Sequence, residues 1–112
     1  MPAKIEWPVC EGPLDPHSFA ALVPQHLEWM RARGFAEGTV RGRFIYVRNF
    51  AMWCEERAIT RPAEVTPPVI ERYQRWLYHY RKKSEAPLSI ESQHNKLGAV
   101  RTFFKWLARH RH

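Results

Sequence analysis

The chain has 112 residues, 45% of them apolar, and carries five Trp, six Phe and four Tyr, which suits one folded domain and excludes a disordered chain. No apolar run approaches the ~20 residues that cross a bilayer, and the start "MPAKIEWPVCEGPLDP" lacks the apolar stretch of a secretory signal, so the expected location is the cytoplasm. Lys plus Arg number 18 against 11 Asp plus Glu, a formal net charge of +7, and a surplus of that size attracts polyanions such as nucleic acid.

The charge is uneven along the chain. Residues 1–30 hold Lys4 against Glu6, Glu11, Asp15 and Glu28, whereas residues 31–112 hold 17 basic against 7 acidic side chains. Residues 1–17 read as an extended leader, rich in Pro and without apolar period, with Trp7 available to pack on the body. A first helix is expected near 18–33, because Phe19, Val23, Leu27 and Met30 share one helical face. Pro24 lies inside that pattern, so the helix either starts near Pro24 or is kinked there. Gly34 reads as the residue that ends it.

A second helix is expected near 37–57. Val40, Phe44, Val47, Ala51 and Cys54 form its stripe, and Ile45, Tyr46, Phe50 and Trp53 widen it, which implies burial on more than one side. A third is expected near 67–82, with Thr66 as N-cap, Pro67 at the first position, and Val69, Ile70, Tyr73, Trp76, Leu77 and Tyr80 as the apolar face. "RKKSEAP", residues 81–87, reads as an exposed connection. A fourth helix, near 89–110, opens at Ser89 and carries a seam of Leu97, Val100, Phe103, Phe104 and Leu107, with Lys96, Arg101, Lys105 and Arg109 off the seam. Gly98 costs this helix roughly 1 kcal/mol relative to Ala, which close approach of another backbone would justify. Strand signals are weak throughout, so the expected class is all-α, a four-helix bundle.

Signals for chemistry are missing. No Gly-rich phosphate loop, Gly-x-Ser-x-Gly or His-Glu-x-x-His occurs. Cys10 and Cys54 are too few for a disulfide framework, and the six His are scattered, so no metal and no cofactor is expected. Glu55 and Glu56 are neighbours on a helix and do not face each other. No active site can be assembled from these residues.

Two helix starts stand out instead. "AEGTVRGR", residues 36–43, brings Thr39, Arg41 and Arg43. "SIESQHNK", residues 89–96, brings Ser92, Gln93, His94, Asn95 and Lys96. Helix N-termini present unpaired N–H groups to phosphate oxygens, Arg and Lys neutralise phosphates, and Asn or Gln can read a base edge. On spacing alone, two ordinary caps with solvated flanks explain the same residues.

"GFAEGTVRGRFIYVRNFAMWCEERAI" (34–59), "RPAEVTPPVIERYQRWL" (61–77) and "LSIESQHNKLGAVRTFFKWLARH" (88–110) together resemble the N-terminal core-binding domain of tyrosine recombinases, the Xer-type recombinases and phage integrases. The resemblance spans about residues 19–110. It implies a SAM-like four-helix domain that forms half of a clamp around double-stranded DNA, with its second and fourth helices at the major groove. Carried onto this sequence, it makes Thr39, Arg43, Ser92, Asn95 and Lys96 the expected DNA contacts, and Arg41 and Arg101 expected phosphate contacts. The position of Arg43 is often Tyr in the family. The family's catalytic Arg, His-x-x-Arg and tyrosine nucleophile belong to a separate C-terminal domain; this chain has no His-x-x-Arg, and Tyr46, Tyr73, Tyr78 and Tyr80 are not candidates for the nucleophile. Other recombinase protomers in a synapse are the implied protein partners, no membrane is implied, and a monomer is compatible with the isolated domain. Two other classes compete: a helix-turn-helix regulator, which requires a tight turn before a recognition helix, and a helical protein-interaction module, which requires an exposed apolar patch in place of a basic face.

Overall fold

The computed structural model describes residues 15–82 and 84–110. Four α-helices follow in order: α1 (Phe19–Ala32), α2 (Glu37–Glu55), α3 (Pro67–His79) and α4 (Ile90–Arg109), with a short 3-10 turn at Pro62–Glu64. No strand occurs among the described residues; one isolated bridge pairs Arg81 with Pro87. The architecture is all-α, as the apolar periods require. The leader expected over 1–17 falls mostly outside the described residues. Its last part turns into α1, with the Ser18 amide donating to the Asp15 carbonyl and the Asp15 carboxylate 2.6 Å from Arg61 Nε.

Helix α1 does not start at Pro24. It begins at Phe19, where the Ser18 hydroxyl accepts from the Ala21 amide, and continues through Pro24. Pro24 cannot donate to the carbonyl four residues back, so one helical bond is missing. The first turn is held by other means. Phe19, Leu22 and Val23 are buried, and the Phe19 amide donates to the Thr60 carbonyl. Gly34 ends the helix with φ +84°, a backbone that other residues adopt at a cost.

Helix α2 stops at Glu55, two residues short of the expected end, because the chain turns at Ala58 (φ 62°) and the Ile59 amide caps the Cys54 carbonyl. Helix α3 stops at His79 instead of near 82. Tyr80 turns extended, and the Lys82 amide pairs with Ala86 across a turn in which Glu85 has φ 64°. Thr66 occupies the N-cap of α3 without a side-chain bond, whereas the Ser89 hydroxyl caps α4 by accepting from the Ser92 amide at 3.0 Å.

The core is aromatic at its centre. Phe50 meets Tyr73 edge-on at 4.9 Å and Phe19 at 6.1 Å, so α1, α2 and α3 converge there, and Phe103 of α4 lies 6.4 Å from Phe19. Such pairs add about 0.5–1.5 kcal/mol each beyond area burial. The expected stripes of α1, α2 and α4 are buried, except that Phe104 is only half-buried while Trp106 is buried. The apolar face of α3 is only partly covered: Tyr73 and Leu77 are buried, Trp76 and Tyr80 are exposed.

Candidate nucleic-acid interface

Among the described helices, α2 and α4 share the most extensive contact. Their buried faces carry Val40, Phe44 and Val47 against Leu97, Val100 and Phe103. Beside this seam the two N-terminal halves leave a groove of about 400 Å³. Its α2 wall is Gly38, Thr39, Gly42, Arg43 and Tyr46, and its α4 wall is His94, Asn95, Gly98, Ala99 and Thr102. Residues four apart stack on one helical face, which is why Gly38 with Gly42 and Gly98 with Thr102 line it together.

Glycine shapes this groove. A Cβ built on Gly38, Gly42 or Gly98 would meet no heavy atom within 4 Å. The sequence suggested that Gly98 admits a neighbouring backbone; among the described residues nothing comes within 4 Å of where its Cβ would stand, and the glycines leave the groove open. Among the described residues no carboxylate lines it. Glu37, near the start of α2, is engaged elsewhere: Arg31 donates to its carboxylate through Nη2 at 3.0 Å and to Glu28 through Nη1 at 2.8 Å, and the pairing keeps the Glu37 carboxyl below its ordinary range.

Of the seven residues singled out in the sequence, Thr39, Arg43 and Asn95 share the groove. Thr39 and Asn95 are exposed, and the half-buried Arg43 sets its guanidinium over the Phe35 ring, 5.4 Å from its centroid, within cation–π range. Arg41 is half-buried outside the groove lining, near enough to Glu37 to help lower that carboxyl. Ser92 is partly occupied by the cap, because the Ser89 hydroxyl donates to its hydroxyl at 3.0 Å. Arg101 is exposed and lies seven residues beyond His94, on the same side of α4. Lys96 is apart from the rest. It lines a second groove, of about 470 Å³, with Trp76, Tyr80, Met52 and Leu88, and its ammonium lies 4.6 Å from the Tyr46 ring.

Two polar residues of the α4 start have different fates. Gln93 is buried, and its amide donates to the Leu88 carbonyl, so it braces the helix start. His94 is exposed in the groove wall. Tyr46 and the glycine pair of α2 were not expected in the site. Tyr46 read as core because it widens an apolar stripe, and only the packing of α2 on α4 shows that it ends at a surface.

Nothing among the described residues assembles a reaction centre. No group of three metal-ligating side chains occurs. Burial pushes the Cys54 thiol up to about 12, so it is inert, and burial also raises the Tyr73 phenol. No described helix is long and apolar enough to cross a membrane.

Residues 22–111 match the family model described as phage integrase, N-terminal SAM-like domain. The chain is 52% identical over 87 residues to tyrosine recombinase XerC 2 of Ralstonia nicotianae, an alignment that covers 78% of this chain and 25% of that protein. The chain thus spans about a quarter of the length of the curated relative it matches. No solved structure matches it significantly.

Proposed function

The chain belongs to the phage integrase N-terminal SAM-like domain family, and from that premise we propose that it holds double-stranded DNA for a tyrosine recombinase whose chemistry resides in a separate C-terminal domain. The observation that carries this reading is the groove, lined by three glycines and by no described carboxylate, in which Thr39, Arg43 and Asn95 converge. Each side chain has a distinct task. The Arg43 guanidinium neutralises a phosphate or takes the O6 and N7 of guanine. The Asn95 amide pairs with N6 and N7 of adenine, and the Thr39 hydroxyl donates to a phosphate. Absence of Cβ atoms at Gly38, Gly42 and Gly98 admits the sugar–phosphate backbone closely. Arg41, Ser92 and Arg101 flank the groove as further phosphate contacts, whereas Lys96 stands outside it, against the Tyr46 ring.

In the parent protein this domain would form one half of a clamp that orients the duplex. The C-terminal domain would cut one strand through a phosphotyrosyl intermediate and exchange it between sites, with other protomers as partners. The interaction-module reading has one observation in its favour, the exposed aromatic groove at Trp76 and Tyr80, and protomer contact would reconcile it with DNA holding.

The test is equilibrium binding of the chain to a short mixed-sequence duplex over a series of salt concentrations. Each neutralised phosphate contributes about −0.9 to the slope of log affinity against log salt. Binding is expected at low salt, with a clear negative slope that becomes shallower by about 1 in Arg43→Ala. Absence of binding at low salt, or a flat salt response, overturns the reading.

A further inference from the structure

Lys96 and Tyr46 form a pair between the two grooves. The Lys96 ammonium sits 4.6 Å from the Tyr46 ring centroid, within cation–π range. Among the described residues no carboxylate reaches Lys96, and no hydrogen bond holds it, so the ring face is its one described polar partner. Lys96 is half-buried, and that burial lowers its pKa. An ammonium meant to meet phosphates gains from standing free in water, where its charge reaches the duplex. This one gives up part of its hydration to cover a ring.

Position points the same way. Tyr46 lines the groove that holds Thr39, Arg43 and Asn95; Lys96 does not, and instead lines the aromatic groove. Tyr46 is also packed against the core at its base. The ring is therefore fixed by the core and by the cation, and it walls the groove one helical turn from Arg43.

We propose that Lys96 is a positioning residue that holds the Tyr46 ring as a wall of the α2–α4 groove, and that Tyr46, not the Lys96 ammonium, meets the duplex. The contact is of the apolar kind, a ring against deoxyribose or a thymine methyl, which carries no counterion release. This inference rests on the DNA-holding reading above.

The experiment compares wild type, Lys96→Met, Lys96→Arg, Tyr46→Leu and the Met/Leu double variant on one duplex across salt, with Arg43→Ala in parallel and helical content checked by circular dichroism. Lys96→Met is expected to lose about two- to fivefold in affinity, the range of one cation–π contact, with the salt slope unchanged. Lys96→Arg, which keeps the ring partner, is expected to bind as wild type. Tyr46→Leu is expected to lose at least as much as Lys96→Met, and the double variant no more than Tyr46→Leu alone. If Lys96→Met makes the slope shallower by about 1, Lys96 touches a phosphate and the inference is wrong. Additive losses, or no loss in either single variant, also overturn it. If the Met variant does not fold, Lys96→Gln replaces it. A shallower slope in Arg43→Ala with silent Lys96 and Tyr46 variants refutes this inference alone, whereas a wild type that does not bind sinks both readings.

Discussion

Acid should weaken this fold through one histidine. His26 is 1% exposed, and neither ring nitrogen has a hydrogen-bond partner among the described residues. Its ring sits among Trp106 at 5.1 Å, Phe103 at 5.5 Å and Trp29 at 6.1 Å. Burial, helped by the Arg43 charge, lowers its pKa from 6.5 to about 4. The native state thus refuses a proton that the unfolded chain accepts below about pH 6.5. Stability is full above that value and falls as pH drops towards 4, where the native imidazole also protonates. At 1.36 kcal/mol per unit, the total loss is about 3 kcal/mol. That is a large share of the roughly 5–15 kcal/mol that holds a domain together. Urea unfolding followed by Trp fluorescence, at steps from pH 7.5 to 4.5, measures it. Asp15 and Glu37, whose carboxyls lie below their ordinary range, contribute stability that is lost at still lower pH, and they do so equally in a control. That control is His26→Leu, which removes both unpaired nitrogens and keeps an apolar side chain of similar size. It should be as stable as wild type at pH 7.5 and lose most of the slope between pH 6.5 and 4.5. An unchanged slope in His26→Leu would refute the assignment.

Two further substitutions separate folding from binding. Gly98→Ala should stabilise the domain by about 0.5–1 kcal/mol, since the added methyl meets nothing within 4 Å and helix propensity improves, yet it should weaken duplex binding by placing a methyl in the groove; a thermal melt and a binding titration read the two effects, and a lower melting temperature would mean the site is not open. Pro24→Ala restores the missing amide donor inside α1 and should raise stability by about 2 kcal/mol, part of the proline penalty being offset by greater freedom in the unfolded chain; equal or lower stability in a denaturant titration would show that α1 is already relaxed around Pro24.

The helices were legible because burial follows the 3.6-residue period: Phe19, Val23 and Met30 on α1 and Val40, Val47 and Cys54 on α2 are buried where the pattern puts them. Ser89 and Gly34 marked helix ends correctly because capping and a left-handed backbone are local chemistry. His26 carried the same period, seven residues after Phe19, but a titratable side chain on an apolar face does not announce its burial. Trp106 escaped for a related reason, since it sits beside the seam and is covered only when α1 packs on α4. The end of α2 was misjudged because Ala58 adopts a left-handed backbone that glycine usually marks, and the end of α3 because Tyr80, which continues the apolar face, turns extended. The polar residues of the site were visible in the sequence, but their grouping was not. Ser92, Asn95 and Lys96 are neighbours in one segment, yet Asn95 lines one groove and Lys96 another, a division made by the Tyr46 ring from a different helix.

The groove has its two walls more than fifty residues apart in the chain, with Thr39 and Arg43 on one and Asn95 on the other. Helices α1 and α2 are joined by a short turn and bury faces against each other, so they are the pair that local contacts favour early. As a chain grows from its N-terminus, that hairpin exists before α4 is made. An emerging chain therefore displays Arg43 without its counterpart across the groove, and on the proposed reading competence to hold a duplex would arrive only with α4.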